Sequence, residues 1–243
     1  MAAPTSVSPQ ETTRYRQSIV DAAHGLVQAR VLSPSLHGNL SARLPGTETI
    51  LLTSGSSLAE LHPDDLALLT LDGQVLEGHI NPVTHEIVHM HTAVYRKRPD
   101  VGGVIHTHSP YSTSFAVANR PLELFSEALA RFGVEESIPV AAYAPRGSRE
   151  SVSNIVDVIG PKTRAVLLQN HGILTFAETI EMAKVLVLVM EEAAQAAINA
   201  TILGGATTIP RELLEYTRQR AQDFAAQGTV GAGRSAAAHD DDK

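Results

Sequence analysis

The chain carries 11 histidines and no cysteine, which leaves imidazoles and carboxylates as the side chains able to hold a first-row metal ion. Three places concentrate them. His85-Glu86-Ile87-Val88-His89 spells HExxH, which on a helix sets two imidazoles one turn apart beside a glutamate, the zinc pattern of many metallopeptidases. His106-Thr107-His108 follows Val101-Gly102-Gly103-Val104-Ile105, so two imidazoles at positions i and i+2 share one face at the end of an apolar strand. Leu167-Leu168-Gln169-Asn170-His171-Gly172 delivers a further histidine where another apolar strand runs out. In open α/β sheets the carboxyl ends of strands form the ligand crevice, and three imidazoles brought there make a metal site with open positions, the catalytic kind.

These residues need elements to position them. Ile19, Ala22, Ala23, Leu26 and Val27 form an apolar stripe that predicts a helix over 10–31, stopping before Ser33-Pro34. Short strands are expected at 40–44, 49–53, 66–71 and 74–76, the last two joined as a hairpin around Asp72-Gly73. Beyond these, helix is expected over 85–97, strand over 101–108, helices over 110–119 and 123–132, strand over 137–143, and helix over 148–159. Ala165-Val166-Leu167-Leu168 reads as a strand buried on both faces, Thr179 to Leu203 as a long alanine-rich helix, and 211–225 as a last helix. Gly133 and Gly160 are expected as helix C-caps, and Pro110 as a first-turn residue. Hairpins followed by alternation of strand and helix predict an α/β fold: a three-layer α/β/α sandwich with a mixed, largely antiparallel central sheet covered by helices on both faces.

The 243 residues are 43% hydrophobic, enough to bury a large core, and residues 1–227 are expected to form one domain. Residues 228–243, small, polar and ending in an acidic run, are expected to be a disordered or expression-derived tail. A formal charge of -7 argues against nucleic acid and anionic lipid as partners and favours a small-molecule substrate. The N-terminus lacks the apolar core of a secretory signal, and the run Val185 to Met190 is short for a membrane span. A cytoplasmic protein with no membrane partner is expected.

Taken together, His37-Gly38-Asn39-Leu40-Ser41, Leu52-Thr53-Ser54-Gly55, Tyr95-Arg96-Lys97-Arg98-Pro99-Asp100, Val104-Ile105-His106-Thr107-His108-Ser109-Pro110 and Gln169-Asn170-His171-Gly172 resemble, in order and spacing, the class II aldolase and adducin head-domain family. That family includes fuculose-phosphate aldolase and ribulose-phosphate 4-epimerase, and the resemblance spans roughly residues 12 to 204. It implies one divalent metal ion per subunit on His106, His108 and His171, zinc foremost, with manganese or cobalt as alternatives. It further implies Glu86 as acid/base and a homotetramer with active sites between subunits. The implied chemistry is metal-dependent aldolase (lyase) cleavage or formation of a carbon-carbon bond in a small hydroxy-carbonyl compound, a sugar, sugar phosphate or hydroxy-keto acid, through a metal-stabilised enediolate. Decarboxylation or epimerisation on the same scaffold, or an adducin-like binding module without catalysis, are the alternatives. A zincin of the extended type would continue HxxGxxH, whereas this chain continues with Met90-His91-Thr92-Ala93-Val94-Tyr95-Arg96. His85, His89 and His91 are therefore expected on the helix surface, at an interface or against substrate.

Two departures from the family pattern bear on substrate. Gly38-Asn39 and Ser54-Gly55 match its phosphate-holding pairs, but the expected Ser-Ser-Glu is here Val83-Thr84-His85-Glu86, which removes two hydroxyl donors and leaves Thr84 or His85 to substitute. Glu127 stands where fuculose-phosphate aldolase has a tyrosine acting from a neighbouring subunit, so it is a candidate carboxylate relay. Arg131, one helical turn on, and Arg146 are candidates for contact with a substrate anion.

Overall fold

A computed structural model describes residues 7–55, 57–82 and 85–226; Thr84 and the tail 228–243, about which expectations were stated, lie outside them. The first helix, α1 (Pro9–Gln28), starts where the sequence caps it. The Ser8 hydroxyl accepts from the Glu11 backbone and the Glu11 carboxylate reaches back, a capping box that satisfies amides otherwise left without partners. Its stripe Ile19, Val20, Ala22, Ala23 and Leu26 is buried as expected.

The remaining elements are β1 (Gly38–Arg43), β2 (Thr49–Thr53), a 3-10 turn (Pro63–Asp65), β3 (Leu66–Thr70), β4 (Val75–Glu77), α2 (Glu86–Lys97), β5 (Gly103–Thr107), α3 (Pro110–Val117), α4 (Glu127–Arg131), β6 (Val140–Ala141), α5 (Arg149–Asp157), β7 (Ala165–Leu168), β8 (Gly172–Ala177), α6 (Ile180–Ile202) and α7 (Arg211–Ala226). The strands make an 8-stranded sheet in the order β4-β3-β2-β1-β5-β8-β7-β6. Only β6 and β7 run parallel; the other pairs are antiparallel.

Alternation along the strands divides the core into two layers. Leu40, Leu51, Ile105, Leu167 and Ile173 pack with α1, α3, α4 and α6. Ile50, Leu52, Val104, Val166, Leu174 and Phe176 face the opposite way, against Val88 and Val94 of α2 and Ile155 of α5. This is the expected three-layer sandwich. Asn39 pairs with His106 and Ser41 with Val104 across β1 and β5, so Asn39, Ser41 and His106 lie on the α2/α5 face.

Three expectations need correction. The segment 172–177, given no element from sequence, is β8, a neighbour of both β5 and β7. The helix expected over 123–132 shrinks to Glu127–Arg131, because Leu122 forms an isolated bridge with Ile138. The strand expected over 137–143 keeps only Val140–Ala141, since tertiary pairing, not local propensity, sets a strand's length. Helix α6 is long and apolar enough to cross a membrane by composition, yet it buries Ile180, Leu186, Val187 and Met190 within the first core layer.

Candidate metal and active site

The turn joining β7 to β8 is three residues long, with Leu168 paired to Gly172. Asn170 takes the left-handed conformation at φ 58°, which asparagine tolerates better than most residues, and the His171 amide donates to the Leu168 carbonyl at 2.9 Å. The turn thus presents His171 beside the end of β5. Its ring centroid lies 4.7 Å from that of His106 and 5.0 Å from that of His108, and one ring nitrogen of each of the three lies within 4.8 Å of the others.

Gly172 explains itself by proximity. A Cβ there would stand 2.5 Å from the Thr107 carbonyl oxygen and 2.9 Å from Cδ2 of His108, so only glycine lets β8 approach β5 with both imidazoles in place. Gly172→Ala is expected to cost about 1–3 kcal/mol through overpacking and to weaken metal binding, as thermal unfolding and metal titration of the variant would reveal.

His106 is buried, and its Nδ1 lies 2.8 Å from the Ile173 carbonyl oxygen. A carbonyl only accepts, so Nδ1 holds the proton and Nε2 is left with its lone pair. That Nε2 stands 3.2 Å from Nε2 of His108; two nitrogens bound to one tetrahedral zinc stand roughly 3.3 Å apart. Burial first, then the neighbouring His171 and His108, hold His106 well below the usual imidazole range. Burial also leads in pushing His171 down to about 4, and it lowers His108, helped by the positive charge of Arg146. Three imidazoles kept neutral and converging are the donor set a borderline-soft divalent cation requires.

Glu86 opens α2 and pairs with Arg146. The pair closes one side of the cavity, with side-chain exposures of 23% for Glu86 and 61% for Arg146. Gly147, at φ 76°, passes under Glu86, where a Cβ would meet the Glu86 Cβ at 3.2 Å. The cavity, about 480 Å³, is lined at one end by His37, Gly38, Asn39 and Gly55, and includes Glu86, Arg146 and the three imidazoles. Ile87, Met90, Val152 and Ile155 make an apolar wall.

Not every candidate lines it. Ser54 is buried, its amide donating to the Asp65 carbonyl at 2.9 Å, and it does not border the cavity. Glu127 and Arg131 sit at the two ends of α4, exposed and outside the lining. His85 and His89 are exposed, rings edge to face at 5.9 Å. Among the described residues, the group of three or more that could share a cation is His106, His108 and His171.

His91 breaks with its two neighbours. It is 0% exposed, with Nδ1 2.6 Å from Ser41 Oγ and Nε2 2.6 Å from Asn39 Oδ1. The expectation of a surface, interface or substrate-contact position fails because Ile87, Val88, His91, Val94 and Tyr95 share the buried stripe of α2. A second residue invisible from sequence is Glu191 of α6. Its buried carboxylate accepts from the amides of Tyr111 and Ser112 at 2.7 and 2.8 Å, capping α3 just after the His106-Thr107-His108 strand end. Its one signal was a charge inside an apolar helical stripe.

Burial holds the His91 pKa down at about 3 against 6.5 for a free imidazole. The unfolded chain therefore takes up a proton near 6.5 that the folded one refuses until about 3, so stability is full above 6.5 and is lost as the pH falls towards 3. The melting temperature of the metal-free protein is expected to drop across this interval, and less steeply in His91→Gln; equal slopes would contradict it.

Residues 17–198 match the family model for the class II aldolase and adducin N-terminal domain. The chain is 30% identical over 174 residues to 5-deoxy-D-ribulose 1-phosphate aldolase of Bacillus thuringiensis, an alignment covering 72% of this chain and 79% of that one. It is 32% identical over 158 residues to L-fuculose phosphate aldolase of Methanococcus maripaludis, covering 65% and 82%. The solved structure of an L-fuculose 1-phosphate aldolase superposes with a TM-score of 0.77 at 26% identity, covering 91% of this chain and 100% of that one.

Proposed function

The chain belongs to the class II aldolase and adducin family, and from that we propose that it is a divalent-metal-dependent aldolase of carbohydrate metabolism, reversibly cleaving a phosphorylated ketose. The observation carrying this reading is the meeting of His106, His108 and His171 in one cavity with Glu86 and with the Gly38-Asn39 strand end. His106, His108 and His171 would hold the ion, zinc foremost. When bound, a divalent ion supplies Lewis acidity toward a carbonyl and its adjacent hydroxyl, offsetting the negative charge that develops as the carbon-carbon bond breaks.

The chain's own groups do the rest. In the cleavage direction a base takes the proton of the hydroxyl on the carbon that becomes the aldehyde. The electron pair of the breaking carbon-carbon bond passes to the carbonyl-bearing half, and Glu86 moves a proton to the resulting enediolate carbon. Glu127, exposed on α4, serves as the carboxylate relay from a neighbouring subunit of a homotetramer, with Arg131 beside it contacting substrate. Gly38, Asn39 and Gly55 hold the anionic end. Ser54 supports that end from behind Gly55, and Thr84 is assigned to it as a hydroxyl donor in place of the missing serine pair. The relatives named for 5-deoxyribulose 1-phosphate and fuculose phosphate support a phosphorylated substrate even though the serine pair is replaced. The protein works in the cytoplasm.

The test is a screen of phosphorylated ketoses, free ketoses and hydroxy-keto acids against protein loaded with zinc, manganese or cobalt, reading aldehyde release. Aldehyde formation abolished by a chelator and restored by metal is expected. Carbon dioxide release, or inversion of a carbon centre without cleavage, would replace this reading with decarboxylase or epimerase.

A further inference from the structure

His91 has no place in the chemistry above, yet it is fully buried with both ring nitrogens engaged. It belongs to a chain of polar groups sealed between α2 and β1. The Tyr95 hydroxyl donates to the Ser41 carbonyl at 3.0 Å and stands 2.9 Å from Ser41 Oγ. Ser41 Oγ meets Nδ1 of His91, and Nε2 of His91 meets Asn39 Oδ1. The last residue of this chain lines the cavity.

The direction of the protons follows from the acceptors. Asn39 Oδ1 can only accept, so Nε2 carries the ring proton. A neutral imidazole then accepts at Nδ1, the Ser41 hydroxyl must donate to it, and Tyr95 shares its proton between two Ser41 oxygens. Burial keeps the ring neutral, so it cannot donate from both nitrogens. With its carbonyl oxygen held by His91, the Asn39 amide must turn its NH2 group away from the ring. Asn39 pairs with His106 across β1 and β5 and lines the same cavity as the three imidazoles, so an NH2 group turned away from His91 is available to that cavity.

We infer that His91 is a positioning residue: it locks the Asn39 amide with its NH2 toward the cavity, making the site select a substrate with an anionic acceptor group, a phosphate ester, at that end. An amide turned over would present a carbonyl oxygen and repel the same group. This rests on the aldolase reading in which Asn39 meets the substrate anion.

The direct test is the ring tautomer of His91 from 15N chemical shifts in the metal-free protein. The Nε2–H form is expected; the Nδ1–H form overturns the inference without touching the aldolase assignment. Inorganic phosphate titrated into the zinc-loaded protein supplies the functional arm. Asn39→Asp, which still accepts from His91 but offers an oxygen to the ligand, should weaken phosphate at least about tenfold, as should His91→Leu, which frees the amide to turn. His91→Gln, with a donor and an acceptor of its own, should recover most of the affinity. In His91→Leu the KM for a phosphorylated ketose should rise in step with the loss of phosphate affinity, while bound zinc and kcat change little. Phosphate affinity lost in Asn39→Asp but retained in His91→Leu would overturn the positioning role alone. Affinity retained in Asn39→Asp would overturn the role of Asn39 at the anionic end as well.

Discussion

His106→Ala is expected to leave the protein without its bound divalent ion and to lower turnover at least about 10²–10³-fold, the scale at which preorganised charge stabilisation contributes to catalysis. Two things are lost at once. One of three convergent nitrogens disappears, and the Ile173 carbonyl loses the donor that fixed the His106 tautomer. Metal content after gel filtration and the rate with added zinc would measure both. His85→Ala and His89→Ala should keep metal and rate, since His85, just before α2, and His89, in its first turn, are both exposed. Metal lost with either of them and kept in His106→Ala would return the HExxH pattern to first place. The pH dependence has a definite sign. Burial holds all three imidazoles below the free value of 6.5, so bound metal should persist to lower pH than free imidazoles would allow and be lost by the time His171 takes up its proton at about 4.

Glu86→Gln is expected to retain metal while kcat falls about 10²–10⁴-fold, because glutamine keeps the shape of the side chain and removes its capacity to carry a proton. Arg146 would then lack the charge it pairs with, so Arg146→Gln is the necessary companion. If Arg146 only steers Glu86, its loss costs far less than that of the carboxylate. Single-turnover rates with zinc-loaded protein would separate the two, and a Glu86→Gln variant within threefold of wild-type kcat would remove Glu86 from the proton-transfer step.

Much of the site was legible because its signals are local. His106 and His108 share a face by the two-residue period of a strand, and Asp72-Gly73 marks the β3–β4 turn without reference to anything distant. His91 was also legible in principle. It stands four residues after Ile87 and three after Val88, both buried, so the helical period that sets the core face of α2 assigns it inward; the adjacent HExxH drew it outward. The segment Gly172–Ala177 has strand-like composition, but its pairing with both β5 and β7 is a long-range fact. The Arg146 partnership with Glu86 likewise joins residues far apart in sequence.

By itself the sequence determined which residue types could hold a metal and the layered α/β architecture, since residue chemistry and hydrophobic periodicity act over a few positions, and the order and spacing of its motifs carried the resemblance to the family. Only the tertiary structure decided that His171 reaches the His106 and His108 rings, that Asn39 faces His91, and that Glu191 caps α3. Each of these depends on which strands and helices become neighbours. That is set by how two apolar faces of one sheet are covered at once, which no short window of residues encodes.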